Sequence, residues 1–114
     1  MTMTDLEITK LCAEAMGYHS FTSPQTGELI FQQDKPQAIV QFSYDPLHDD
    51  AQVMALEDWL VERGVLQYGK HWLMFWLGGD SYHEFLFPLD GSKERRRHAI
   101  CECVVEVFGQ RIAT

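Results

Sequence analysis

The side chains able to do chemistry in this sequence are scattered along the chain. Five histidines, His19, His48, His71, His83 and His98, form neither H-x-x-x-H nor H-E-x-x-H, and His83-Glu84 lacks the second imidazole that a helical metal site needs. The cysteines Cys12, Cys101 and Cys103 are odd in number, and two residues along a helix rotate Cys101 and Cys103 about 200° apart. They read as reduced, buried thiols. Neither G-x-S-x-G nor G-x-x-x-x-G-K-[ST] occurs, and Gly78-Gly79-Asp80-Ser81 is accounted for as a hairpin connection. The sequence therefore assigns no catalytic residue, no metal site and no cofactor. An enzyme would require the fold to bring distant groups such as His71, His83 and Asp80 into one pocket.

Two charge features stand out instead. From Pro36 to Glu62 there are six acids, Asp45, Asp49, Asp50, Glu57, Asp58 and Glu62, and no Lys or Arg, so a helix there presents a negative outer face. Part of this is local structure, because Asp49 and Asp50 sit where the helix dipole and N-cap favour acids. The other feature is Lys93-Glu94-Arg95-Arg96-Arg97, four cations in the first turns of a helix, where dipole and mutual repulsion oppose them. Arg96 or Arg97 pairs with the acidic helix, or the turn is simply solvated, or the cluster meets an anionic partner. The candidate protein-binding residues are accordingly Asp49, Asp50, Glu57, Asp58 and Glu62, with Arg95, Arg96 and Arg97 as the competing surface.

The chain that must position these groups has 114 residues, which fits one domain spanning 1–114. With 46% hydrophobic and 12% aromatic residues it can offset the entropy of folding, so disorder is set aside. Nine basic against 17 acidic residues give a formal charge of −8, which repels phosphate backbones and anionic lipid; no direct nucleic-acid binding is expected. The longest apolar run, Trp72 to Leu77, falls far short of the roughly 20 residues of a membrane helix, and no secretion signal is visible. The expected location is cytoplasmic.

Thr4 and Glu7 form a capping box for a helix from Asp5 to Met16, which Gly17 ends. Tyr18 to Thr26 reads as an irregular segment. Glu28 to Gln33 and Ala38 to Tyr44 are β-prone runs around Asp34-Lys35-Pro36-Gln37, forming a hairpin. Asp49 caps a second helix carrying Val53, Leu56, Trp59 and Leu60 on one face, with Gly64 after its last turn. Trp72 to Leu77 and Tyr82 to Phe87 make a second hairpin, and the first of these strands is apolar on both faces, so both need cover. Ser92 caps a third helix with a stripe of Ala99, Ile100, Cys103, Val104, Val107 and Phe108, which Gly109 stops. The order α-β-β-α-β-β-α predicts an α/β (α+β) helix-sheet-helix sandwich around a mostly antiparallel sheet of three to four strands.

Three segments, Ala13-Glu14-Ala15-Met16-Gly17-Tyr18, Tyr44-Asp45-Pro46-Leu47-His48-Asp49-Asp50 and Arg96-Arg97-His98-Ala99-Ile100-Cys101, resemble the phage ABA sandwich domain family. The resemblance implies a helix-sheet-helix sandwich encoded by a phage or prophage in a bacterial host cell. It implies no activity and carries no catalytic residues.

Three functions follow as expectations. The first is a small acidic, non-enzymatic protein-binding module whose partner is a host or phage protein; one form is an anti-defence, anti-CRISPR-like inhibitor whose acidic surface occupies a basic nucleic-acid groove. The second is a self-associating structural or regulatory protein, a homodimer through a sheet edge or aromatic patch, motivated by three Trp, four Tyr and seven Phe. The third is an enzyme with an unfamiliar site.

Overall fold

The computed structural model describes residues 3–77 and 83–113, the last four by backbone alone. Among them the order is α1 (Asp5–Ala15), β1 (His19–Thr22), β2 (Leu29–Lys35), β3 (Ala38–Phe42), α2 (Asp50–Val61), β4 (Gly64–Tyr68), β5 (Trp72–Leu77), β6 (His83–Pro88) and α3 (Lys93–Ala113). This is an α+β fold with wholly antiparallel pairing, in the layered class that the element order predicts.

Local sequence starts each helix as expected. Thr4 Oγ1 accepts from the Glu7 amide at 3.2 Å, Asp49 Oδ1 from Gln52 at 2.9 Å and Ser92 Oγ from Arg95 at 3.1 Å. At the end of α1, Gly17 takes φ +83°, and the amides of Gly17 and Tyr18 close on the carbonyls of Glu14 and Ala13. That double closure is the left-handed cap that a glycine permits.

The strands depart from expectation in number. The strands form two three-stranded sheets, β1-β2-β3 and β4-β5-β6, rather than one sheet of three to four. The segment read as irregular contains β1, paired with β2 from His19 opposite Gln32 to Thr22 opposite Leu29. All four β1 residues are exposed, so no apolar alternation marks the strand in sequence. Gly64 does not end α2, which already closes with Glu62 at its C-cap; it opens β4. Gly109 does not stop α3 either, since its φ is not positive and the helix runs on to Ala113. A helical glycine costs about 1 kcal/mol, little against the packing of the buried Val104 and Val107 just before it. The connection expected at Gly78, Gly79, Asp80 and Ser81, with Tyr82, lies outside the described residues.

α3 is the central element, packing on α1, α2, β5 and β6. Cys12 of α1, Leu56 and Leu60 of α2, Leu73 and Phe75 of β5, and Ile100 and Val104 of α3 are fully buried in a single core. The Trp59 indole donates to the Ala15 carbonyl at 3.1 Å and ties α2 to the end of α1. Tyr18, Phe31, Phe42 and Tyr44 join the first sheet to this core through edge-to-face contacts with centroids as close as 4.9 Å.

The two faces of β5 fare differently. Leu73 and Phe75 are buried beneath the helices, whereas Trp72, Met74 and Trp76 are only partly buried. Cross-strand register places Val65 beside Trp76 and Leu86 beside Met74, and these flanking residues are 53% and 61% exposed. Among the described residues, the expectation of cover on both faces is met in full on one face only.

Candidate functional site

The residues singled out by charge meet at the boundary of α2 and α3. Asp50 stands in the first turn of α2 and Arg97 in the second turn of α3; Arg97 Nη1 lies 2.9 Å from Asp50 Oδ1, and its Nε donates to the Leu47 carbonyl at 2.9 Å. Two turns along α2, Glu57 Oε2 accepts both Arg96 Nη2 at 3.2 Å and the Tyr68 hydroxyl at 2.5 Å. The Arg96 guanidinium also lies over the Tyr68 ring, 4.9 Å from its centroid. Burial and the bond to Glu57 push the Tyr68 phenol well above its ordinary range. Burial opposes the Arg96 charge, but Tyr68 and Glu57 outweigh it and raise its pKa. These groups border a cleft of about 260 Å³ floored by Val53 and Ile100, with Lys93 at its rim.

Arg95 points elsewhere. Its Nε donates to the Pro88 carbonyl at 2.8 Å, and its Nη1 lies 3.2 Å from Glu102, which also holds His98. All three arginines are therefore engaged within the chain, and this is how α3 tolerates a basic first turn. Of the acids, Asp49 is spent on its N-cap and Glu62 lies 3.5 Å from Arg63, which stacks on Trp59 at 3.8 Å. Asp58 is exposed, with no side-chain partner among the described residues. The fold thus brings Asp50, Glu57, Arg96 and Arg97 together, and leaves Asp49, Asp58 and Glu62 exposed outside the cleft. Tyr68 was invisible to sequence reasoning, because its strand carried no recognisable signal.

The other chemistry-bearing groups stay apart. His48 Nδ1 meets Asp45 at 2.9 Å in an exposed turn, and His19 lies 3.5 Å from Asp34 on the first sheet. His71 and His83 are exposed, and Asp80 lies outside the described residues. No group of three or more His, Cys, Asp or Glu is placed to hold a metal ion among the described residues. All three cysteines are buried and unbridged. Cys12 Sγ contacts the Cys101 carbonyl at 3.6 Å, and burial pushes the Cys103 thiol up to about 12. These thiols are poor nucleophiles. The Tyr44 hydroxyl is buried with no hydrogen-bond partner among the described residues, and burial pushes its pKa upward.

A second surface is defined by shape and polarity rather than charge. The outer face of β4-β5-β6 carries Val65, Trp72, Met74, Trp76 and Leu86 in adjacent register positions. Gln67 opposite Met74, and Glu84 opposite Trp76, interrupt it with polar groups. No helix of the described residues is long and apolar enough to cross a membrane. No family model, curated protein or solved structure matches this chain.

Proposed function

We propose that this chain is a non-enzymatic protein-binding module, encoded by a phage or prophage, that docks on an apolar surface of a host or phage protein through the outer face of β4-β5-β6. The observation carrying this reading is the contiguity of Val65, Trp72, Met74, Trp76 and Leu86 on one sheet face whose flanking members are more than half exposed. Aromatic and Met side chains of this kind supply large contact area, and residues of their types are enriched at protein interfaces. The test is affinity purification from lysogenic or infected cells with the intact chain and with a Val65→Lys, Leu86→Lys variant whose circular dichroism is unchanged. A partner retained by the parent and lost by the variant supports the proposal. A partner held equally by both sinks it.

The acidic reading survives in reduced form, favoured by Asp49, Asp58 and Glu62 at the exposed rim of α2. In that form the module is an anti-defence inhibitor that occupies a basic groove, with opposite potentials speeding association. Reversal of Asp58 and Glu62 to Lys then weakens partner binding, and the loss shrinks at high salt. Phage plating unchanged by the gene in hosts carrying several active defence systems, CRISPR among them, counts against it.

A further inference from the structure

We propose that β3 is a self-recognition edge: two copies of the chain pair their β3 strands antiparallel about a two-fold axis through Val40, joining the two N-terminal sheets into one of six strands. β3 lies at the edge of its sheet, and Ala38, Ile39, Val40 and Gln41 are all exposed. β2 and β3 are joined by the two-residue loop Pro36-Gln37, with Lys35 opposite Ala38. In an antiparallel ladder the pair flanking such a loop exchanges both backbone bonds, and bonded and non-bonded pairs alternate from there. Ala38, Val40 and Phe42 consequently spend their peptide groups on β2, while Ile39 and Gln41 turn N–H and C=O outward. A row of outward peptide groups is complementary to another extended strand.

The sequence of β3 identifies that strand as a second β3. Centred on Val40, the pairing sets Ile39 opposite Gln41 of the other copy, so the outward groups of one meet the outward groups of the other in both directions. Ala38 then faces Phe42, small against large, on the side of the sheet that joins the core. The strand contains no charge, proline or glycine, the usual devices that keep an edge single. This matters in a chain of net charge −8, where two copies approach most easily through a neutral segment. The same register carries the Lys35-Pro36 turn toward Ser43-Tyr44-Asp45 of the other copy, cation toward acid. Ile39 at 66% exposure and Val40 at 37% each gain a cross-strand neighbour in the pair. A two-fold interface of this kind closes at two copies.

Sedimentation equilibrium across micromolar concentrations tests the proposal. The parent chain is expected to dimerise, and Gln41→Pro, which removes only an outward N–H and leaves the bonds to β2, is expected to be monomeric with an unchanged circular dichroism spectrum. Val40→Cys is expected to form a covalent dimer under copper-phenanthroline oxidation, because the two-fold places the two β-carbons within disulfide reach; Ser20→Cys on the opposite edge is expected to form none. Val65→Lys with Leu86→Lys is expected to leave the dimer intact, which separates this inference from the docking face proposed above. A parent chain that is monomeric at high micromolar concentration overturns the proposal. So does a dimer that persists in Gln41→Pro, one that dissolves in the Val65, Leu86 variant, or a Val40→Cys protein that never crosslinks.

Discussion

Asp50 and Arg97 meet at 2.9 Å, though 47 residues separate them in the chain. The arginine is the buried partner, 14% exposed against 66% for the aspartate, and it holds the Leu47 carbonyl as well. Their contributions should therefore be unequal. Arg97→Ala is expected to cost about 1.5 to 3 kcal/mol, because it strands a carbonyl as well as breaking the pair. Asp50→Ala should cost under about 1 kcal/mol, as exposed ion pairs do. Urea unfolding of the two variants measures the difference, and equal losses would contradict the assigned geometry.

Trp59 anchors α2 through its indole as well as through its area. Trp59→Phe keeps most of the buried surface but leaves the Ala15 carbonyl without its donor. The expected loss is about 1 to 3 kcal/mol, part of it from the smaller ring. Thermal unfolding checks this, and hydrogen exchange should show faster opening at the C-terminal turn of α1.

Two glycines that look alike in sequence should respond oppositely to alanine. A β-carbon at Gly64 would stand 2.1 Å from the Trp76 carbonyl oxygen and 2.7 Å from Phe75 Cζ, so β4 and β5 would have to part. Gly64→Ala is expected to destabilise by about 1 to 3 kcal/mol. A β-carbon at Gly109 meets nothing within 4 Å, and the residue is helical. Gly109→Ala should therefore stabilise by up to about 1 kcal/mol. Denaturation midpoints of both variants decide the matter.

Stability should fall on the alkaline side. The contact with Cys101, then burial, raises the Cys12 thiol; burial raises the Tyr44 phenol and the Cys103 thiol, the latter from 9.0 to about 12. Each group stays neutral in the folded chain while its unfolded counterpart ionises. The Cys103 contribution is thus complete below about pH 9 and is lost as pH rises from there toward 12. The expected slope is about 1.4 kcal/mol per pH unit for each fully buried thiol. Cys103→Ala should flatten the decline measured by urea unfolding at stepped pH, and an unaltered slope would be evidence against this origin.

Sequence by itself determined what is local. Thr4, Asp49 and Ser92 begin their helices because a side-chain oxygen reaches an amide three residues on, and Gly17 ends α1 because only glycine takes φ +83° without strain. The apolar stripes of α2 and α3 follow the helical period, so Leu56, Leu60, Ile100 and Val104 were legible as core. Tertiary structure decided the rest. β1 is exposed at every position, and β4 opens on a glycine chosen for the close approach of β5, so neither strand has a pattern of its own. The fate of the charges was likewise undecidable locally: pairing of Arg96 or Arg97 with the acidic helix, a solvated turn and an anionic partner all stood open until packing set α2 and α3 side by side. Packing at that contact pairs Asp50 with Arg97 and Glu57 with Arg96, and it leaves exposed Asp49, Asp58 and Glu62 together with the flanks of an apolar sheet face that no described element covers.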